Sequence, residues 1–286
     1  MLQGSPSRTA LGAARHRAAH QVLEHGRIFS DPLSLRILTT DAEDAVRIAE
    51  ADSSRRRLRL FIAVRSRFAE DSLAIAVERG VRQVVILGAG LDTYAYRSDV
   101  GDRLHIFEVD HPATQIWKRD RLAAASIPIP PNLTFIPADF EQVTLESALF
   151  NSVFDSALPT FFTWLGVVPY LTEQAFWSTL GFITDLPGGA HVVFDYSNHQ
   201  SSEDCGGARE ALSARVASAG ESFKSHYDTA ALHARMEALG LQVIDDVGPI
   251  LIRERYFGIR AASASNNGGH VVHASTIYSA QRSGSH

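Results

Sequence analysis

Val84-Val85-Ile86-Leu87-Gly88-Ala89-Gly90-Leu91-Asp92-Thr93-Tyr94, VVILGAGLDTY, joins a short apolar run to a turn with two glycines. Such a run bounded by glycine reads as a strand buried on both faces. The glycines let the backbone approach a ligand at the carboxyl end of that strand, where open α/β sheets bind their ligands. A dinucleotide fingerprint needs G-x-G-x-x-G, and its third glycine position is Thr93 here; a phosphate-loop pattern has no match. Two interpretations remain for the turn: a plain strand-to-helix connection, or a seat for a nucleotide-like ligand that lacks a pyrophosphate.

The neighbouring strand ends favour the second. The next strand closes with Phe107-Glu108-Val109-Asp110, placing an acid about 20 residues beyond the turn, where a ribose diol would meet it. Glu108 and Asp110 share one side of that strand, and Asp110 stands at its tip. The third strand runs into Ala138-Asp139-Phe140. There a carboxylate can accept an adenine amino hydrogen while the aromatic ring packs on the base.

Outward from this core, apolar residues at helical spacing run from Leu11 to about Arg79, broken near Asp31-Pro32. The spacing predicts strands at Val81–Leu87, Leu104–Val109, Leu133–Ile136, Leu158–Trp164, His191–Phe194, Gln242–Val247 and Val271–Ile277. Helices are predicted at Asp92–Ser98, Pro112–Ala125, Glu173–Leu186 and Thr229–Leu239. Alternating strands and helices imply a mostly parallel sheet covered on both faces. The last two strands show no convincing helix between them and are expected to form an antiparallel hairpin at the sheet edge. The domain expectation is a helical N-terminal cap over residues 1–79, and a core over 80–286 with a substrate-lid insertion around 196–228.

With 286 residues, 45% hydrophobic and 21% charged, the chain has material for one large globular domain. The net charge of −5 argues against a nucleic-acid surface built on bulk positive potential. One cysteine, Cys205, offers neither an internal disulfide nor a CxxC metal pair, which points to the cytoplasm. No apolar run approaches a membrane span, and no histidine pair shows metal-ligand spacing. Arg8, Arg15 and Arg17 precede the first acid, Glu24, a composition shared by transit peptides and by ordinary frayed termini. The oligomeric state is open, since no heptad or apolar stripe stands out.

Taken together, LGAGLDTYAYR, FEVDHP with Lys118 eight residues past Asp110, and PADFE resemble the bacterial branch of the leucine carboxyl methyltransferase family. FIAVRSRFAEDSL, WLGVVPYLT, ERYF and HVVHA extend the resemblance over roughly residues 55–278. It implies a Rossmann-like class I methyltransferase fold, a seven-stranded sheet with an antiparallel last strand, and S-adenosyl-L-methionine (SAM) as cofactor. It further implies that Arg65 binds the methionine carboxylate, that Gly88, Ala89 and Gly90 form the turn around the methionine part, that Asp110 holds the ribose, and that Asp139 and Phe140 form the adenine pocket. Asp92 is expected to order the turn. One departure is that many members read EGLLxYL where this chain has Leu165-Gly166-Val167-Val168-Pro169-Tyr170-Leu171, so Leu165 stands at the glutamate position.

The expected activity is SAM-dependent O-methylation of a carboxylate or hydroxyl on a small molecule, such as a natural product. A carboxylate is ionised at neutral pH and requires no base, whereas an alcohol or phenol benefits from one. Asp195, Tyr196 and His199 follow the fifth strand and are candidates to position or deprotonate substrate, with Tyr196 and His199 as the catalytic pair. Phe161, Phe162 and Trp164 read either as an apolar substrate pocket or as core. Two other functions compete: an NAD(P)-dependent oxidoreductase, disfavoured by Thr93, and a non-catalytic SAM-binding protein, which Leu165 keeps open.

Overall fold

The computed structural model describes residues 7–99, 101–140, 142–198, 225–260 and 265–276. His199, Cys205 and most of the 196–228 insertion lie outside the described residues. Seven strands form one sheet: β1 (Gln83–Leu87), β2 (His105–Asp110), β3 (Leu133–Pro137), β4 (Thr160–Trp164), β5 (Ala190–Asn198), β6 (Leu241–Val247) and β7 (Gly268–Thr276). Their order is β3-β2-β1-β4-β5-β7-β6. The β1–β2, β2–β3, β1–β4 and β4–β5 pairs are parallel, and β7 runs antiparallel to both neighbours.

Ten α-helices surround the sheet in the described residues: α1 (Arg8–Leu23), α2 (Leu33–Leu38), α3 (Asp41–Ala51), α4 (Arg56–Glu78), α5 (Tyr94–Arg97), α6 (Pro112–Ala124), α7 (Leu145–Phe150), α8 (Glu173–Thr184), α9 (Thr229–Ala238) and α10 (Pro249–Phe257). Strand alternation sorts the core into two layers. Val84, Ile86, Phe161 and Val193 face α4, where Val64, Phe68, Leu73 and Ala76 form the helical stripe that covers them. On the opposite face Phe107, Phe162, Trp164 and Phe194 pack with Phe176, Leu180 and Met236 of α8 and α9. Phe161, Phe162 and Trp164 are therefore core, with Trp164 stacked on Phe176 at 5.6 Å between ring centroids. Ala14, Ala18, Ile37 and Leu38 join the N-terminal helices to Leu91 of the glycine turn and Leu122 of α6.

One expectation about the C-terminal region needs correction. A helix, α10, does separate β6 from β7, and its boundary signals are in the sequence: Pro249 at its first turn and Gly258 at its C-cap with φ +67°. Proline there loses no hydrogen bond, and glycine accepts the left-handed conformation without strain. The two strands do pair antiparallel at the edge of the sheet, with β6 outermost and β7 between β5 and β6. Helix α7 was not expected either; the Thr144 hydroxyl caps it, accepting from Ser147 N at 3.1 Å.

Candidate functional site

The glycine turn leaves β1 at the carboxyl end of the parallel strands. Gly88 (φ +64°) and Gly90 (φ +47°) adopt left-handed backbone that side chains disfavour. Gly88 N and Ala89 N donate to Val109 O at 2.8 and 3.2 Å, fixing the turn to β2. A Cβ on Gly88 would sit 2.5 Å from Val167 Cγ2, and one on Gly90 would sit 2.8 Å from Ala10 Cβ. The turn is thus closely approached by the segment after β4 and by α1. Asp92 Oδ1 accepts from Tyr94 N at 2.8 Å, so this side chain orders the start of α5.

Asp110 faces the turn from the tip of β2. Its Oδ2 accepts from Gly90 N at 2.5 Å and its Oδ1 from His111 N at 2.7 Å. Burial pushes this carboxyl upward, while those two N–H bonds and the Lys118 charge pull it down. Glu108, two residues earlier, is sequestered instead: it bonds Lys118 and the Tyr96 hydroxyl in the interior.

Asp139 and Phe140 follow β3, which pairs Pro137 with Asp110. Asp139 Oδ2 accepts from Gln142 Nε2 at 2.7 Å and lies 4.0 Å from His111 Nε2. Phe140 is 52% exposed, unusual for so large an apolar side chain. Gly88, Ala89, Gly90, Asp110, Asp139 and Phe140 consequently form a continuous rim over the ends of β1, β2 and β3.

Arg65, on α4, reaches the far side of this rim. Its Nη1 donates to Asp195 Oδ2 at 2.8 Å, and Asp195 Oδ1 accepts from Gly166 N at 2.5 Å. Arg65 Nε is buried with no hydrogen-bond partner among the described residues. A Cβ on Gly166 (φ +72°) would sit 2.6 Å from Arg65 Nη2, so this turn admits the guanidinium because residue 166 is glycine. Gly166 adjoins Val167, which touches Gly88, linking Arg65 to the rim. His16 of α1 is driven down to about 4, first by burial and then by Arg55, Arg59 and Arg65. Leu165 lines a cavity of about 20 Å³ with Ser66, Glu70, Asp92, Tyr94 and Thr163.

Asp195 and Tyr196 point to opposite faces of β5. The Tyr196 hydroxyl donates to Asp246 Oδ2 at 2.6 Å and lies 3.0 Å from Thr229 Oγ1 and 3.3 Å from His270 Nδ1. Burial first, then Asp246, raises its pKa well above the ordinary phenol value. A hydroxyl so committed is suited to joining β5, β6, β7 and α9, and ill suited to taking a proton.

A support network behind the turn escaped sequence reading. Arg17 Nη2 donates to Leu91 O at 2.6 Å while its Nε donates to Asp31 Oδ2 at 3.2 Å. Arg97 bridges Asp31 to Glu70, whose carboxyl is raised by burial and lowered by that arginine. These partners come from α1, the following loop, α4 and α5, and no local motif announces them. Most of the arginines around the start of α4 are surface residues, but Arg59 is buried and pairs both oxygens of Glu24.

Among the described residues, no group of three or more His, Cys, Asp or Glu could hold a metal ion. Nor is any helix there long and apolar enough to cross a membrane.

Comparison with known proteins gives a family match, sequence relatives and structures of the same fold. The leucine carboxyl methyltransferase family profile matches residues 10–184. YktD of Bacillus subtilis (strain 168), named as an S-adenosyl-L-methionine-dependent methyltransferase, is 32% identical over 205 residues, 70% of this chain and 67% of its own. A protein of Saccharopolyspora erythraea with the same descriptive name is 31% identical over 65% of this chain and 66% of its own. The chain thus spans about two thirds of the length of these curated relatives. Among solved structures, a protein of Thermobifida fusca YX named as a methyltransferase shares the fold with a TM-score of 0.53 and 15% identity, covering 96% of both chains. A DUF574 family protein of Streptomyces avermitilis MA-4680 does so with a TM-score of 0.52, over 91% of this chain and 96% of that one.

Proposed function

The chain belongs to the leucine carboxyl methyltransferase family and is a SAM-dependent methyltransferase, and we propose that it methylates an oxygen of a small molecule, a carboxylate in preference to a hydroxyl. The oxidoreductase alternative is set aside by that membership. The residues fit the cofactor on two independent observations: the buried Nε of Arg65, which has no partner among the described residues, and the Asp110 carboxylate bonded to the N–H of Gly90. In this reading Asp110 accepts the ribose hydroxyls, Asp139 and Phe140 receive the adenine, and Arg65 holds the methionine carboxylate. Gly88, Ala89 and Gly90 keep the backbone close to the methionine chain.

When bound, SAM supplies a sulfonium methyl that is already activated for transfer. The protein then has to align an oxygen with the carbon–sulfur bond and exclude water; orientation alone supplies up to about 7–11 kcal/mol in well-aligned systems. The observation favouring a carboxylate is the commitment of both described candidates for a base. Asp195 is held by Arg65 and Gly166, and Tyr196 is held by Asp246. An acceptor ionised at neutral pH requires neither. His199 is the remaining candidate to serve a hydroxyl acceptor.

The helices of residues 1–79 serve as the cap over this site in the same proposal, with a substrate lid around 196–228. The setting is the cytoplasm and the partner a small natural-product acid. The test is calorimetric titration with SAM, S-adenosylhomocysteine (SAH), NAD and NADP, followed by transfer of labelled methyl from SAM to panels of organic acids and phenols. Methylation of acids, with loss of label to base as expected of an ester, supports the proposal; methylation of phenols alone refutes the carboxylate preference.

A further inference from the structure

We infer that Asp195 is the counter-charge for the α-ammonium of SAM, forming with Arg65 a two-sided receptor for the amino-acid end of the cofactor. This rests on the cofactor placement proposed above. An α-amino acid zwitterion presents a carboxylate and an ammonium within a few ångströms of each other, and a buried site needs an opposite charge for each. Arg65 and Asp195 are such a pair, 2.8 Å apart, with side chains 12% and 5% exposed.

Both retain hydrogen-bonding capacity. Arg65 keeps a buried Nε–H with no partner among the described residues. Asp195 accepts one bond on each oxygen, from Gly166 N and from Arg65 Nη1, where a carboxylate can accept about four. The ammonium offers three donors and the cofactor carboxylate offers acceptors, so the two sets complement each other.

The other acids near the turn serve other partners. Glu70 has both oxygens on Arg97. Asp92 Oδ1 is bonded to Tyr94 N, and Asp110 faces Gly90 and His111. Residue 165, at the end of β4, is leucine and has no charge to give. Asp195 alone among these acids touches both Arg65 and the Gly166 turn, so it also fixes the distance between the two.

Three ligands separate the contributions: SAH, its des-amino analogue that keeps the carboxylate, and methylthioadenosine, which lacks the whole amino-acid end. Each is titrated into the wild-type protein and into Asp195→Asn, which preserves shape and an acceptor for Gly166 N. The wild type is expected to prefer SAH over the des-amino analogue by about tenfold or more, the size of a charge-assisted hydrogen bond. In Asp195→Asn that preference should collapse, with methylthioadenosine affinity kept within about twofold. A preference retained in the variant overturns the inference, as does an equal loss for all three ligands, which would mark Asp195 as a structural support only. Should Asp195→Asn fail to fold, Asp195→Ser provides the same comparison. Failure of the wild type to bind any of the three would instead overturn the cofactor placement itself, and this inference with it.

Discussion

Lys118 Nζ lies 2.7 Å from Glu108 Oε2, and the two side chains are 1% and 0% exposed. The pair sits just behind the strand tip that carries Asp110, with the Tyr96 ring 5.2 Å from the ammonium. Removing one member leaves a buried charge without its partner. Lys118→Met should therefore lower the unfolding free energy by about 3–5 kcal/mol, and adding Glu108→Gln should restore most of it. Urea denaturation of the two variants measures both.

The same carboxyl gives a pH signature. Burial, the largest influence, lifts Glu108 from 4.5 to about 7 against the opposing pull of Lys118. The folded chain thus holds this proton more tightly than the unfolded chain. Its stabilising contribution is complete below pH 4.5 and is lost as pH rises through about 7. Denaturation midpoints across that range should decline less steeply for Glu108→Gln than for the wild type.

Asp110→Ala removes the acceptor at the ribose position. SAH and methylthioadenosine should both bind at least about tenfold more weakly, the loss of one or two charge-assisted hydrogen bonds of roughly 1.5–3 kcal/mol. The parallel loss distinguishes Asp110 from residues that serve only the amino-acid end. Normal affinity for either ligand removes Asp110 from the site.

Gly166 and Gly101 permit a controlled comparison. Both have positive φ, +72° and +54°, but a Cβ at residue 101 meets nothing within 4 Å among the described residues, whereas one at 166 strikes the Arg65 guanidinium. Alanine at either position should reduce stability by about 1–2 kcal/mol. SAH affinity should fall only in Gly166→Ala, because only there is the guanidinium displaced.

Tyr196→Phe should behave as a structural variant. It removes a hydroxyl shared by Asp246, Thr229 and His270 and should cost about 1–2 kcal/mol in thermal or denaturant unfolding. Turnover at saturating substrate should stay within about twofold of wild type. A loss of orders of magnitude in turnover at unchanged SAM affinity would return Tyr196 to the chemistry.

What the sequence revealed of this site is local in kind. Gly88, Gly90, Asp110 and Asp139 announce themselves because each sits at a strand end defined by its own neighbours in the chain. Arg65 is singled out only by resemblance, since one arginine among six near the start of α4 carries no mark of its partner Asp195, 130 residues away. The network of Arg17, Asp31, Arg97 and Glu70 was silent for the same reason. Strand alternation separates Tyr196 from Asp195: the two are adjacent in sequence and lie on opposite faces of the sheet in space. In the fold, β7 was legible as a strand, but its position between β5 and β6 depends on long-range pairing that hydrophobic pattern does not encode.

The insertion of β7 between β5 and β6 also sets an order of events. While the chain is being made, β5 and β6 can both exist before residues 268–276 emerge, yet neither can pair with the strand that finally joins them. Until then β5 presents an open edge carrying Val192 and Phe194, the kind of surface that recruits another molecule. A truncation ending before Gly268 should therefore yield an aggregating species rather than a smaller enzyme, because the sheet is closed by the strand that comes last in chain order among the seven described.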